Sequence, residues 1–76
     1  MKLHKLTWRE FSKHNSMAYG RTDDLDKPIP ETYWFESNGA WYEVSKGSIG
    51  WNIYDESWHN VGYADTLKEI RNWTSF

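Results

Sequence analysis

Cysteine is absent from this chain of 76 residues, which excludes a disulfide framework and a thiolate zinc site. Proline is scarce, at Pro28 and Pro30 only, so turns and breaks rest on glycine and the small polar residues. Long hydrophobic runs are missing too. Met1 is followed by Lys-Leu-His-Lys, and no stretch has the length of a membrane span or a signal-peptide core. With no cysteine and no such segment, the expected location is the cytoplasm. Asn72-Trp73-Thr74 has the glycosylation spacing, which is read as chance where no secretory signal precedes it. Excess positive charge is also lacking. The net charge is −2, so no global attraction to nucleic acid is expected.

The features of catalysis are equally sparse. There is no glycine-rich phosphate loop, no serine at a strand–turn–helix elbow and no cysteine nucleophile. His4, His14 and His59 stand apart, each without a close second ligand. Asp23-Asp24-Leu25-Asp26 lacks the alternating oxygen ligands and following glycine of a calcium loop. A pocket of enzymatic size is hard to build at this length. These absences predict a single domain over 1–76 that is not an enzyme and takes no metal or cofactor.

Aromatic side chains are what the sequence has in excess. Six tryptophans, five tyrosines and three phenylalanines occur among the 76 residues. A chain this short buries only about 60% of the surface its unfolded form exposes, so some of these rings must lie outside or in a shared interface. Large exposed apolar patches mark binding surfaces.

Local signals place the elements. Thr7-Trp8-Arg9-Glu10 has capping-box spacing and predicts a short helix from about Trp8 to Asn15. Trp8 and Phe11 would share its buried side, while Lys5, Arg9 and Lys13 recur at fourfold spacing on another. Residues 16–31 show no periodicity and read as an irregular acidic, proline-containing loop. The basic residues of 1–21 (Lys2, Lys5, Arg9, Lys13, Arg21) and the acidic ones of 22–36 (Asp23, Asp24, Asp26, Glu31, Glu36) offer opposite charges that can pair internally.

Strands are expected at Thr32–Ser37 and Ala40–Lys46, flanking Asn38-Gly39, a dipeptide suited to a two-residue turn with positive φ at both positions. A second turn at Gly47-Ser48 leads into Ile49–Asp55, and a short fourth strand covers roughly Val61–Ala64. Thr66 and Glu69 cap a final helix, with Leu67, Ile70 and Trp73 on one side. The fold class is therefore α+β: an N-terminal helix, a three- to four-stranded antiparallel meander, and a C-terminal helix packed on one sheet face.

The first turn sets a register. Ser37 faces Ala40, Phe35 faces Tyr42 and Tyr33 faces Val44. The second turn would set Val44 against Trp51, Tyr42 against Ile53, Trp41 against Tyr54 and Glu43 against Asn52. One face then carries Tyr33, Phe35, Tyr42, Val44, Trp51 and Ile53, which with Phe11, Leu67 and Ile70 form the expected core. The other carries Trp34, Glu36, Trp41, Glu43, Asn52 and Tyr54.

That second face is the candidate site. Trp34, Trp41 and Tyr54 would anchor a partner protein, with Glu36 and Glu43 as charged rim and Asp23, Asp24 and Asp26 as a further contact. Cross-strand aromatic pairs also serve folding alone, and the first helix is free to cross to this face and cover it. A second reading is a single-stranded nucleic-acid binder that stacks bases on the same rings and holds phosphates with Lys5, Arg9 and Lys13. Against it, Glu36 and Glu43 sit beside the rings and no cation does. A third is a structural subunit that self-associates, so both monomer and homodimer are open.

Trp51-Asn-Ile-Tyr-Asp55 followed by Val61-Gly-Tyr-Ala-Asp-Thr-Leu-Lys-Glu-Ile70 resembles the strand–loop–strand–helix ending of small phage and prophage accessory proteins. The resemblance covers the C-terminal half. It implies a small protein that binds a host protein as an inhibitor or modulator, and it carries no site residues with it.

Overall fold

A computed structural model describes residues 1–14, 25–74 and 76. The expected helix end at Asn15, Asp23, Asp24 and the 16–24 part of the expected loop lie outside these. The described residues form a small, mostly-β domain. Strand β1 (His4–Thr7) and helix α1 (Trp8–His14) precede β2 (Pro28–Ser37), β3 (Ala40–Lys46), β4 (Trp51–Tyr54), β5 (Asn60–Ala64) and helix α2 (Leu67–Arg71). All five strands form one antiparallel sheet in chain order.

The first hairpin follows the turn chemistry. Asn38 and Gly39 adopt φ of 53° and 81°, the left-handed values that a two-residue turn between right-twisted strands requires. The ladder pairs Phe35 with Tyr42, Tyr33 with Val44 and Glu36 with Trp41, as the turn dictates. The second hairpin departs by two residues. A loop at 47–50, closed by the Gly47 N–H on the Gly50 carbonyl at 2.6 Å, replaces the expected two-residue turn. Val44 therefore meets Ile53, and Lys46 meets Trp51. Side chains alternate with period two, so a shift of two leaves every residue on its expected face.

The first face holds the core. Phe35, Val44, Ile53, Ala64 and Ile70 are fully buried, with Met1, Leu3, Tyr33, Tyr42, Trp51, Leu67 and Trp73 around them. α2 reaches this face through Ile70, and its start is capped as its sequence implies. The Glu69 N–H donates to Thr66 Oγ1 at 3.2 Å, and the Asp65 N–H donates to Glu69 Oε2 at 3.0 Å. Thr66→Ala is expected to lower the urea midpoint by an amount equivalent to about 1 kcal/mol. Phe76 folds back on the same face, edge-on to Phe35 and Tyr42 at 5.6 and 4.9 Å between ring centroids.

The N-terminal third requires corrections. Lys5 lies in a strand rather than on the first helix, because His4–Thr7 pairs with β2 (His4 with Trp34, Lys5 with Tyr33, Thr7 with Pro28). β2 accordingly begins at Pro28, four residues before the expected Thr32. The Pro28–Glu31 part of the expected loop is therefore strand, with Glu31 at φ 53°. Proline fits here because it sits at the first residue of a strand, where a missing N–H costs little. Phe11 also leaves the predicted first-face core. Its ring lies 5.8 Å from Trp58, and Trp58 lies 6.3 Å from Tyr54 on the second face.

Candidate functional site

Two transverse rows build the second face. One runs His4–Trp34–Glu43–Tyr54–Asn60 across all five strands. The next sets Trp41 beside Glu36 on β2, while the Trp41 N–H donates to Glu56 Oε1 at 3.3 Å beyond the end of β4. Aromatic and acidic residues thus alternate in both directions. Trp34 stacks on His4 at 4.4 Å and lies nearly parallel to Trp41 at 6.5 Å.

The predicted anchors come together but not all at the surface. Trp34 and Tyr54 are half-buried and Glu36 is exposed. Trp41 is only 3% exposed and Glu43 only 6%. They form the buried floor of the second face, so neither presents a side chain to a partner. Trp34 lies nearly parallel to Trp41, Trp34 and Tyr54 flank Glu43, and at the margin Phe11 of α1 meets Trp58, which in turn meets Tyr54.

Glu43 is the chemical oddity of this floor. Trp34 and Tyr54 flank it on the neighbouring strands, and its Oε1 has no hydrogen-bond partner among the described residues. Burial pushes its carboxyl up to about 7, since a charge without compensating donors is disfavoured away from water.

Trp58 is the site residue that composition and pairing did not single out. The loop presenting it is held by Asp55, whose Oδ1 accepts the N–H groups of Ser57 and His59, both at 2.9 Å. The Asp55 carbonyl accepts the Trp58 N–H at 3.0 Å. The His59 N–H first, then the Ser57 N–H and the nearby His59 side chain, hold the Asp55 carboxyl below the usual range. Trp58 itself adopts φ 65° and is 43% exposed. A bulky side chain in the left-handed region is an outlier that surrounding structure must enforce. The readable signal was Asp55-Glu56-Ser57, an Asx-turn sequence following a strand.

The basic residues do not form the expected helix stripe. Lys5 pairs across to Tyr33, a first-face residue. Arg9 Nε donates to Asp26 Oδ1 at 2.9 Å, raising the guanidinium and lowering the carboxyl by that bond and its charge. Lys13 lies 3.8 Å from Glu10. Among the described residues one ion pair, Arg9 with Asp26, joins the basic head to the acidic segment, so Asp26 is engaged by Arg9 rather than grouped with the second-face acids, while Glu31 lies 3.9 Å from Lys46.

A shallow depression of about 310 Å³ lies beside Trp41, between residues 39–42 and 55–57. Another, of about 190 Å³, is lined by Lys5 and residues 28–33. Among the described residues no three metal-ligating side chains cluster, and no helix is long and apolar enough to cross a membrane. Comparison of the chain with protein-family models, with curated proteins and with solved structures finds no match.

Proposed function

We propose that this is a small non-catalytic protein-binding module whose contact surface is the rim of the second face. Trp58, Trp34 and Tyr54 supply the apolar contacts, and Glu36 and Glu56 supply the charge. Such a rim suits a partner with a basic, arginine-containing surface, because guanidinium groups stack on aromatic rings and pair with carboxylates. The inhibitor or modulator role implied by the resemblance of the C-terminal half needs no more than such a rim.

The observation that carries this reading is Trp58. A large aromatic left 43% exposed, at φ 65°, is held in place by the hydrogen bonds of a single aspartate. Backbone strain of this kind costs on the order of 1–3 kcal/mol and clusters at functional positions. Exposed tryptophans beside polar groups are also the side chains that dominate binding energy at interfaces.

The test is affinity capture from lysate with wild-type and Trp58→Ala baits side by side. One protein retained in stoichiometric amount by the wild type should bind the variant at least about 30-fold more weakly, with unchanged far-UV circular dichroism. Equal capture by both baits would reject this rim. Nuclease-sensitive capture would instead favour the nucleic-acid reading.

A further inference from the structure

We infer that Asn38 is a site of spontaneous covalent modification, losing its side-chain amide to attack by the Gly39 nitrogen and leaving aspartate or isoaspartate in the first hairpin turn. Asparagine is among the chemically labile residues, and its loss of ammonia needs a following backbone nitrogen that is accessible and uncrowded. Gly39 supplies one. It has no Cβ to hinder the attack, and nothing stands within 4 Å of where a Cβ would lie. Asn38 and Gly39 are both exposed. The β2–β3 ladder ends at the Ser37–Ala40 pair, and among the described residues no hydrogen bond engages the Gly39 N–H. The Asn38 amide itself reaches only the Phe76 carbonyl, at 3.5 Å, the long limit of a hydrogen bond.

The reaction balances with water alone. The Gly39 nitrogen bonds to Asn38 Cγ as the Cγ–Nδ2 bond breaks, and its proton passes through solvent to Nδ2, which leaves as ammonia. Water then opens the five-membered imide at one carbonyl to give aspartate, or at the other to give isoaspartate. Ring closure requires the Asn38–Gly39 peptide to rotate out of its turn geometry, φ 53° and 81°. Only the turn has to move, and local opening of an exposed turn costs little.

The other described asparagines lack these conditions. Asn52, Asn60 and Asn72 precede Ile53, Val61 and Trp73, whose side chains crowd the attacking nitrogen. Asn52 and Asn60 lie in strands, with the Asn60 Nδ2 donating to Asn52 Oδ1 at 3.3 Å, and Asn72 caps α2.

The two products act differently on the fold. Isoaspartate routes the chain through the side-chain carbon and adds a backbone atom to a two-residue turn, which strains the Ser37–Ala40 and Glu36–Trp41 pairs that the turn sets. Aspartate keeps the turn, since Asp-Gly also suits it, but replaces the donor on the Phe76 carbonyl with an acceptor.

Incubation of the full chain at mildly alkaline pH tests this, followed by peptide mapping with fragmentation that separates aspartate from isoaspartate. In the folded protein Asn38 should convert at least about tenfold faster than Asn52, Asn60 and Asn72, whose following residues carry a Cβ. Asn38 that stays intact, or converts no faster than those three, overturns the inference. A urea-unfolded sample runs beside it. Conversion of Asn38 in both samples supports the inference, whereas conversion in the unfolded chain alone shows that the turn protects the site and overturns it.

Discussion

Trp41→Ala is expected to remove most of the stability of the fold, while Trp58→Ala leaves it nearly unchanged. Trp41 is 3% exposed on the buried floor of the second face. Truncating a buried tryptophan costs about 3–5 kcal/mol, the lost transfer energy plus the cavity left behind. A domain this small has total stability near the low end of the usual 5–15 kcal/mol range, so the loss removes most of it. Trp58 is 43% exposed and alanine keeps the Cβ that a φ of 65° disfavours, so the backbone cost is unchanged and a loss of no more than about 1 kcal/mol is expected. Urea denaturation followed by near-UV circular dichroism separates the two. Similar midpoints for Trp41→Ala and the wild type would show that the second face adds little to stability.

Glu43→Gln is expected to stabilise the protein at pH 8 and to change little at pH 4. The Glu43 carboxyl is pushed up from an ordinary 4.5 to about 7 in the folded state, by burial. Below pH 4.5 it is neutral in both folded and unfolded chains, and folding bears no charge penalty. As pH rises through 7 the folded chain must either hold a buried charge or keep a proton that the unfolded chain has released. Stability is therefore lost between about pH 4.5 and 7, by up to roughly 3 kcal/mol. The amide removes this penalty at the same volume. Asp26 and Asp55, whose carboxyls are lowered by their partners, act in the opposite sense at acid pH. They are common to both proteins and cancel in the difference. Equal denaturation midpoints for wild type and Glu43→Gln at pH 8 would show that Glu43 is solvated.

Glu43 also marks the boundary of what pattern reading reached. Strand alternation from Asn38-Gly39 assigned it to the face of Trp34, Trp41 and Tyr54, and that assignment holds. Alternation says which side a residue faces, but not what lies above it. That depends on neighbours from other parts of the chain, such as Glu56, which accepts the Trp41 N–H, and Trp58, which meets Tyr54. So Trp41 and Glu43, expected at the surface, are floor. Phe11, expected in the first core, packs against Trp8 and Trp58 instead.

β1 was illegible for a related reason. Four residues with one fully buried side chain, Leu6, contain no period to read, and the strand exists because β2 lies ready to pair with it. Its presence moved Lys5 off the helix and drew Pro28 into the sheet. The second hairpin slipped by two residues because glycine-containing loops of two and four residues both preserve alternation.

What the sequence determined by itself were the local, self-consistent items. These are the Asn38-Gly39 turn and its register, the caps at Thr7 and Thr66, and the division of side chains between two faces. Each rests on contacts within a few residues or on the strict period of a strand, so the information lies beside the atoms it positions. The tertiary structure decided which second-face aromatics are exposed, which carboxylate is buried, and how Arg9 and Asp26 pair. Those outcomes depend on chain segments far apart in sequence, whose approach is governed by total burial rather than by any local pattern.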